Sequence, residues 1–213
     1  MTGYLGDVAA LARKDLLLEL RARDTVPAML LFVVSALVVF RFALPADASD
    51  LAAAGLLWIA VVFTALLGLT RAFVAEREQR VLDGLVLAPI DRSAIWLAKG
   101  VSVLAFLVLA EAIALPAFAI FFAPITATTV AAFALADLGI AAVGTLRAAM
   151  AAASRARELL LPLLFLPLAI PIVVGGVGAS VEPDPGRYLA FLGLYDLVFA
   201  ILAWASFDYV VAE

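Results

Sequence analysis

The chain has 213 residues, of which 67% are hydrophobic and only 15% are charged. A soluble domain cannot bury so much apolar surface, since a domain of about 150 residues hides only about 70% of its unfolded surface. The composition therefore indicates an integral membrane protein and excludes a soluble enzyme. The absence of Cys and His excludes disulfides, thiolate or imidazole metal sites and a Ser-His-Asp triad. The absence of a G-x-x-x-x-G-K-[ST] loop and the net charge of −4 argue against ATP binding and against a nucleic-acid partner.

The first predicted element is an amphipathic helix over Asp7–Asp24, within an interfacial segment that covers residues 1–25. Leucines fall broadly on one side of this helix. The basic residues fall mostly elsewhere, where they meet anionic headgroups: Arg13, Lys14, Arg21 and Arg23. A simple positively charged anchor for the first span is the alternative interpretation.

Residues 26–213 are predicted to form one membrane domain. A bilayer core of about 30 Å needs roughly 20 apolar residues in a helix, and six segments of the chain meet this requirement. They are Val26–Leu44, Leu51–Thr70, Val101–Ala123, Thr128–Met150, Leu159–Val181 and Leu189–Val211. The sequence therefore predicts an all-α protein with six transmembrane helices.

The distribution of basic residues predicts the orientation of these spans. All Lys and Arg residues except Arg41 and Arg187 fall in the segments on one side. Basic residues stay on the cytoplasmic side of a membrane. We therefore expect a multi-pass protein of the bacterial inner membrane with both termini in the cytoplasm.

The cytoplasmic segment 71–100, between the second and third spans, is longer than a simple connection requires. Its apolar positions recur at near-helical spacing around a polar run at 76–80. Pro89 ends this helix, and Asp91 or Ser93 caps a new one that continues into the third span. The pattern favours a docking surface for a cytoplasmic partner over a solvated hairpin. The docking residues that we predict are Glu76, Glu78, Val81, Leu82 and Leu85.

Four ionisable residues lie inside predicted spans, where such residues are functional candidates. Glu111 and Asp137 fall near the bilayer midplane. For Glu111 two interpretations remain: the residue lines a permease interface or a release path, or it is protonated and hydrogen-bonded to a neighbouring helix. For Asp137 the surrounding sequence favours local hydrogen bonds. An aspartyl-protease-like dyad is the enzyme alternative for these two residues. Asp196 and Arg41 are expected towards the outer leaflet, where they could pair.

The fifth span contains three prolines and three glycines, which is unusual within one membrane helix. These are Pro162, Pro167, Pro171, Gly175, Gly176 and Gly178. Proline removes a helical hydrogen bond and kinks the helix. The pattern favours a hinge or a re-entrant break over a kinked packing helix.

Several stretches together resemble the CcmB family, the permease subunits of the haem-exporter ABC complex. They are KDLLLELRARD, GLLWIAVVFTALLGLTRAF, EREQRVLDGLVLAPIDRSAIWLAKG, SRARELLLPLLFLPLAIPIVV and LYDLVFAILAWASFDYVVAE. The resemblance covers nearly the whole chain in order. Arg147 departs from the apolar residue expected there and is expected to extend towards the cytoplasmic end of its helix.

The resemblance implies a function that composition does not reveal. It implies a non-catalytic permease subunit, with ATP hydrolysed on a CcmA-type cytoplasmic ATPase and with haem as the transported or released substrate. It also implies CcmC- and CcmD-type membrane subunits, a possible second permease copy, and a coupling helix over Glu76–Leu87. No cofactor, metal site or catalytic residue is expected on this chain. Permeases of other ABC exporters and a non-transporting membrane scaffold are the alternatives.

Overall fold

The structure, a computed structural model, describes residues 3–22, 25–45, 47–71, 91–152 and 157–212. Within these ranges the protein is all-α. Its seven helices, in chain order, are α1 (Tyr4–Ala22), α2 (Thr25–Ala43), α3 (Asp50–Arg71), α4 (Arg92–Phe121), α5 (Ala127–Ala152), α6 (Arg157–Val181) and α7 (Pro185–Ala212).

Helices α2 to α7 are each long and apolar enough to cross a membrane. Their positions confirm the six predicted spans, with most ends shifted by one to four residues. The exception is α4, which begins at Arg92 rather than at the predicted Val101. The preceding helix α1 confirms that the N-terminal arm is helical.

Helix α4 extends beyond its membrane span at the N-terminal end. Its 30 residues make a helix of about 45 Å, whereas the hydrocarbon core is about 30 Å thick. Asp91 caps this helix, because its Oδ1 accepts a hydrogen bond from the backbone N–H of Ser93 at 2.9 Å. Asp91 is one of the two caps that the sequence allowed, and it marks the start of α4.

Helix α5 is the central span of the described bundle. It packs against α3, α4, α6 and α7, and α4 in turn contacts α2 and α3. A stretch of α5 rich in small residues allows this close packing, as at Ala132, Ala136 and Gly144. Helices α2 and α7 are the least buried spans. They leave broad apolar faces for lipid or for other subunits.

Helix α6 is continuous from Arg157 to Val181 despite its prolines and glycines. The expected re-entrant break is therefore wrong. The glycines instead allow close packing with other helices. A Cβ at Gly176 would clash with the Trp58 ring, and one at Gly178 would clash with the Tyr188 ring. The sequence does not reveal these contacts, because Trp58 lies 118 residues before Gly176 and Tyr188 lies on the following helix.

The largest buried side chain, Trp58, joins three helices. Its ring stacks on Phe133 of α5 with 4.4 Å between centroids. Its indole N–H donates to Ser180 Oγ of α6 at 3.1 Å. Trp58 itself is fully buried. This contact holds α3, α5 and α6 together and leaves no polar atom of the indole unpaired.

Candidate functional sites

The predicted coupling residues lie outside the part of the chain that the structure describes. Glu76, Glu78, Val81, Leu82 and Leu85 all fall between Arg71, the last residue of α3, and Asp91, the cap of α4. Their role therefore remains a prediction from the sequence. The described helices nevertheless define what this segment connects, namely the end of one span and the start of α4.

Helix α1 packs along the N-terminal part of α4 and runs in the same direction. Near the start of both helices, Tyr4 Oη and Ser93 Oγ lie 3.0 Å apart. Further along, Ser102 Oγ lies 3.5 Å from the carbonyl oxygen of Ala12, while its hydroxyl donates at 3.0 Å to the Ala98 carbonyl of its own helix. Small apolar residues fill the space between the helices, namely Val8, Ala12, Ala94 and Ala98.

A buried ion pair closes this junction between α1 and α4. Lys99 Nζ lies 3.0 Å from Asp15 Oδ2, and both side chains are more than nine-tenths buried. Lys14 Nζ contacts the other oxygen of Asp15 at 2.9 Å and is one-third exposed. Opposite charges in a poorly solvated place bind α1 firmly to α4, since separating them leaves a buried charge unpaired.

The sequence alone did not reveal this ion pair. In the sequence, Lys99 counted only among the basic residues that orient the spans, and no prediction was made for Asp15. Asp15 interrupts a leucine-rich stretch, and Lys99 stands one turn before an apolar span. These two unusual positions were the indication that the sequence offered. Predicting their contact would have required knowledge of the rotation and tilt of both helices.

Glu111 of α4 and Asp137 of α5 meet inside the membrane domain. Glu111 is 8% exposed and Asp137 is 2% exposed. Their carboxyl groups lie within hydrogen-bonding reach of each other. Glu111 Oε1 and Asp137 Oδ1 are buried and have no hydrogen-bond partner among the described residues. The structure thus brings together two residues that the sequence placed at the same depth on different helices.

Glu111 also borders a small cavity between α2, α3 and α4. Its volume is about 10 Å³, and Val33, Val61 and Leu107 supply most of its apolar wall. The other polar group at the wall is Thr64, whose hydroxyl donates to the Ala60 carbonyl at 2.7 Å. A cavity of this size admits no peptide substrate, so the site does not support the aspartyl-protease alternative.

Asp196 and Arg41 do not pair. Both carboxyl oxygens of Asp196 are buried and have no hydrogen-bond partner in the described part of the chain. They lie against Gly139 of α5, where an added Cβ would be 2.5 Å from Oδ1. Arg41 is exposed in the last turn of α2. The pair that the sequence allowed does not form, and Asp196, twelfth in the 28-residue α7, lies deeper than the outer end of that helix.

Arg147 extends along its own helix towards the end of α5. Its Nη1 lies 3.3 Å from Met150 Sδ, and its Nε is buried without a hydrogen-bond partner. The other described methionine, Met29, is 1% exposed and packs close to Gly68. Neither thioether lines the groove or the cavity that the structure describes.

An apolar groove of about 480 Å³ opens between α4, α5 and α7. Sequence reasoning missed it, because its walls come from three helices that are far apart along the chain. A glycine or an alanine on each of the three helices leaves the space, and five leucines contribute to its walls. The residues of this groove are Trp96, Leu97, Gly100, Val101, Leu104, Leu135, Leu138, Ala141, Ala142, Gly193, Asp196, Leu197 and Ala200.

Residues 7–209 match the protein family described as CcmB protein. The chain is also 30% identical to a protein of Bradyrhizobium diazoefficiens named Heme exporter protein B, over 93% of this chain and 96% of that relative. A protein of Paracoccus denitrificans with the same name is 30% identical over 93% of this chain and 94% of the relative. The similarity therefore extends over the whole membrane domain rather than over a single apolar span.

Proposed function

Because this chain belongs to the CcmB family, we propose that it is the membrane permease subunit of an ABC-type haem exporter. The similarity to two relatives named Heme exporter protein B, over more than nine-tenths of this chain, supports this function most strongly. The six apolar helices supply the membrane domain that a permease needs. The transported or released haem would serve the maturation of c-type cytochromes.

The proposed subunit lies in the bacterial inner membrane with both termini in the cytoplasm. Its partners would be a CcmA-type ATPase on the cytoplasmic side and CcmC- and CcmD-type subunits within the membrane, with a second permease copy possible in the complex. The broad apolar faces of α2 and α7 are available for such subunits, because these two helices are the least buried. ATP binding and hydrolysis would occur on the ATPase alone, which makes this chain a non-catalytic component.

Movement of the ATPase would reach the membrane domain through segment 76–87. This segment precedes α4, which begins at a capped N-terminus and is bound to α1 by the Asp15–Lys99 pair. A displacement of the start of α4 would therefore move α1 with it. The same displacement would be transmitted along α4 to its contacts with α2, α3 and α5.

Haem would be a substrate of this chain and not a resident group. The sequence has no His and no Cys to provide an axial ligand. Of the described methionines, Met29 is buried against another helix and Met150 contacts Arg147. An interaction with haem would thus depend on apolar contact and on other subunits, rather than on coordination of the iron by this chain.

Co-purification of the ATPase with tagged variants of this chain tests the proposed coupling. We expect Leu82→Asp and Leu85→Asp to insert into the membrane but to lose the ATPase, because each buried leucine contributes about 1.5–3 kcal/mol. Glu76→Lys and Glu78→Lys are the matched variants. They should weaken the interaction less, since exposed ion pairs contribute about 0–1 kcal/mol. Retention of the ATPase by both Asp variants at wild-type levels would place the docking surface elsewhere.

A further inference from the structure

The Glu111–Asp137 pair has an unusual environment for two acidic side chains. Both residues are more than nine-tenths buried at the contact of α4 with α5. The cavity beside Glu111 is bordered by apolar residues and by Thr64, with no basic residue at its wall. On the other side of α5, two titratable residues of α7, Asp196 and Tyr195, lie against Gly139.

The basic residues of the same helices are distant from the pair. Arg147 lies ten residues further along α5, and Lys99 lies twelve residues before Glu111 on α4. At a rise of 1.5 Å per residue, these separations are about 15 Å and about 18 Å along the helix axes. Neither cation is close enough to neutralise two carboxylates, and Lys99 is already paired with Asp15.

Carboxylate oxygens are acceptors only, so two carboxyl groups within hydrogen-bonding reach attract each other only when one of them carries a proton. We propose that Glu111 and Asp137 form a proton-binding site inside the membrane domain, in which one shared proton joins α4 to α5. Two ionised carboxylates at this distance would repel each other, and burial strengthens that repulsion. The shared proton removes the repulsion and supplies a charge-assisted hydrogen bond.

The cavity beside Glu111 provides a second observation that points to a ligand. Glu111 lines this space, and its Oε1 is buried with no hydrogen-bond partner among the described residues. The volume of about 10 Å³ is close to the minimum for one water molecule. Such a water would donate to Glu111 Oε1 and to Thr64 Oγ1, whose own proton is directed to the Ala60 carbonyl. The site therefore suits a proton together with one water.

The shared proton would connect the two spans reversibly. With the proton bound, α4 and α5 are connected by a hydrogen bond at mid-height of the bundle. Loss of the proton leaves two like charges between them and favours separation of the helices. Because α4 follows the segment proposed to contact the ATPase, separation of α4 from α5 would be linked to movement at the cytoplasmic side.

Infrared difference spectroscopy of the purified full-length protein in lipid nanodiscs tests the site. A protonated carboxyl group gives a carbonyl stretching band that ionised surface carboxylates lack, and this band shifts in D₂O. We expect the band in the wild type at neutral pH and its loss in Glu111→Gln/Asp137→Asn, which keeps the size and the hydrogen bonding of both side chains. Both proteins are measured in the Asp196→Asn background, because the buried carboxyl group of Asp196 would otherwise contribute a band of its own.

Two further comparisons distinguish a shared proton from other states of the site. Asp137→Asn alone should shift the frequency of any remaining band, because an amide is a weaker acceptor than a carboxylate. An unchanged frequency in this variant would show that the proton is not shared. A wild type without the band, a band that survives in the double variant, or thermal stability that requires Na⁺ would each overturn the proposal, the last in favour of a cation site.

Discussion

The ion pair between α1 and α4 leads to a quantitative prediction about the N-terminal helix. Replacing Lys99 by Met keeps much of the side-chain volume but leaves Asp15 buried without its main counter-charge. Removing one partner of a buried pair costs about 3–5 kcal/mol. Lys14 still contacts Asp15 at 2.9 Å and is one-third exposed. We therefore expect a loss near 2 kcal/mol for the docking of α1, less than that range because Lys14 remains.

Chemical labelling of a single introduced cysteine measures this loss, since the chain contains no native Cys. Ala12→Cys places the thiol between α1 and α4, where Ala12 is 5% exposed. A free-energy loss near 2 kcal/mol raises the population of the detached helix about 30-fold. The rate of reaction with a water-soluble maleimide should rise by a similar factor in the Lys99→Met background.

Two controls separate detachment of α1 from general unfolding. Ala9→Cys lies on the exposed side of α1 and should react at the same rate in both backgrounds. Adding Asp15→Asn to Lys99→Met should restore part of the protection, because the buried charge is then removed as well. Unchanged protection of Ala12→Cys in Lys99→Met, with Ala9→Cys reactive, would refute the stabilising role of the pair.

Three other predictions concern topology, haem and packing. A reporter fused after Glu213 should be cytoplasmic and one inserted at Asp184 external, as the basic residues indicate; the reverse at both positions would contradict the orientation. The purified chain should show no stoichiometric low-spin haem spectrum, since it has no His or Cys; such a spectrum would contradict the absence of an axial ligand. Gly176→Ala should lower the thermal unfolding midpoint, because overpacking costs about 1–3 kcal/mol and Trp58 is fully buried. Gly55→Ala, with open space around it, should have little effect, and equal midpoints would contradict the packing argument.

Composition and spacing were sufficient to predict the membrane spans. Each span is a long apolar stretch bounded by polar residues or prolines, and the length required by the bilayer leaves little freedom. The start of α4 was also predictable, since Asp91 is followed two residues later by the Ser93 N–H that it caps. These features depend on residues that are close together in the chain, so the sequence was sufficient to predict them.

Contacts between helices were much less predictable. The depth of Glu111 and Asp137 followed from their positions in the spans, but their pairing depends on how α4 and α5 are rotated. The glycines of α6 indicated flexibility in isolation. The structure shows that Gly176 instead accommodates Trp58, a residue 118 positions earlier in the chain. Such pairings depend on how the helices pack against one another, and that packing cannot be read from a single sequence.

The most direct test of the proposed function is covalent haem staining of exported c-type cytochromes in a strain that lacks this gene. The account predicts that staining is lost without the chain and restored by the wild-type chain. It also predicts that Leu85→Asp, present in the membrane at normal levels, restores nothing. Full staining in the deletion strain would contradict a role in haem export for cytochrome maturation.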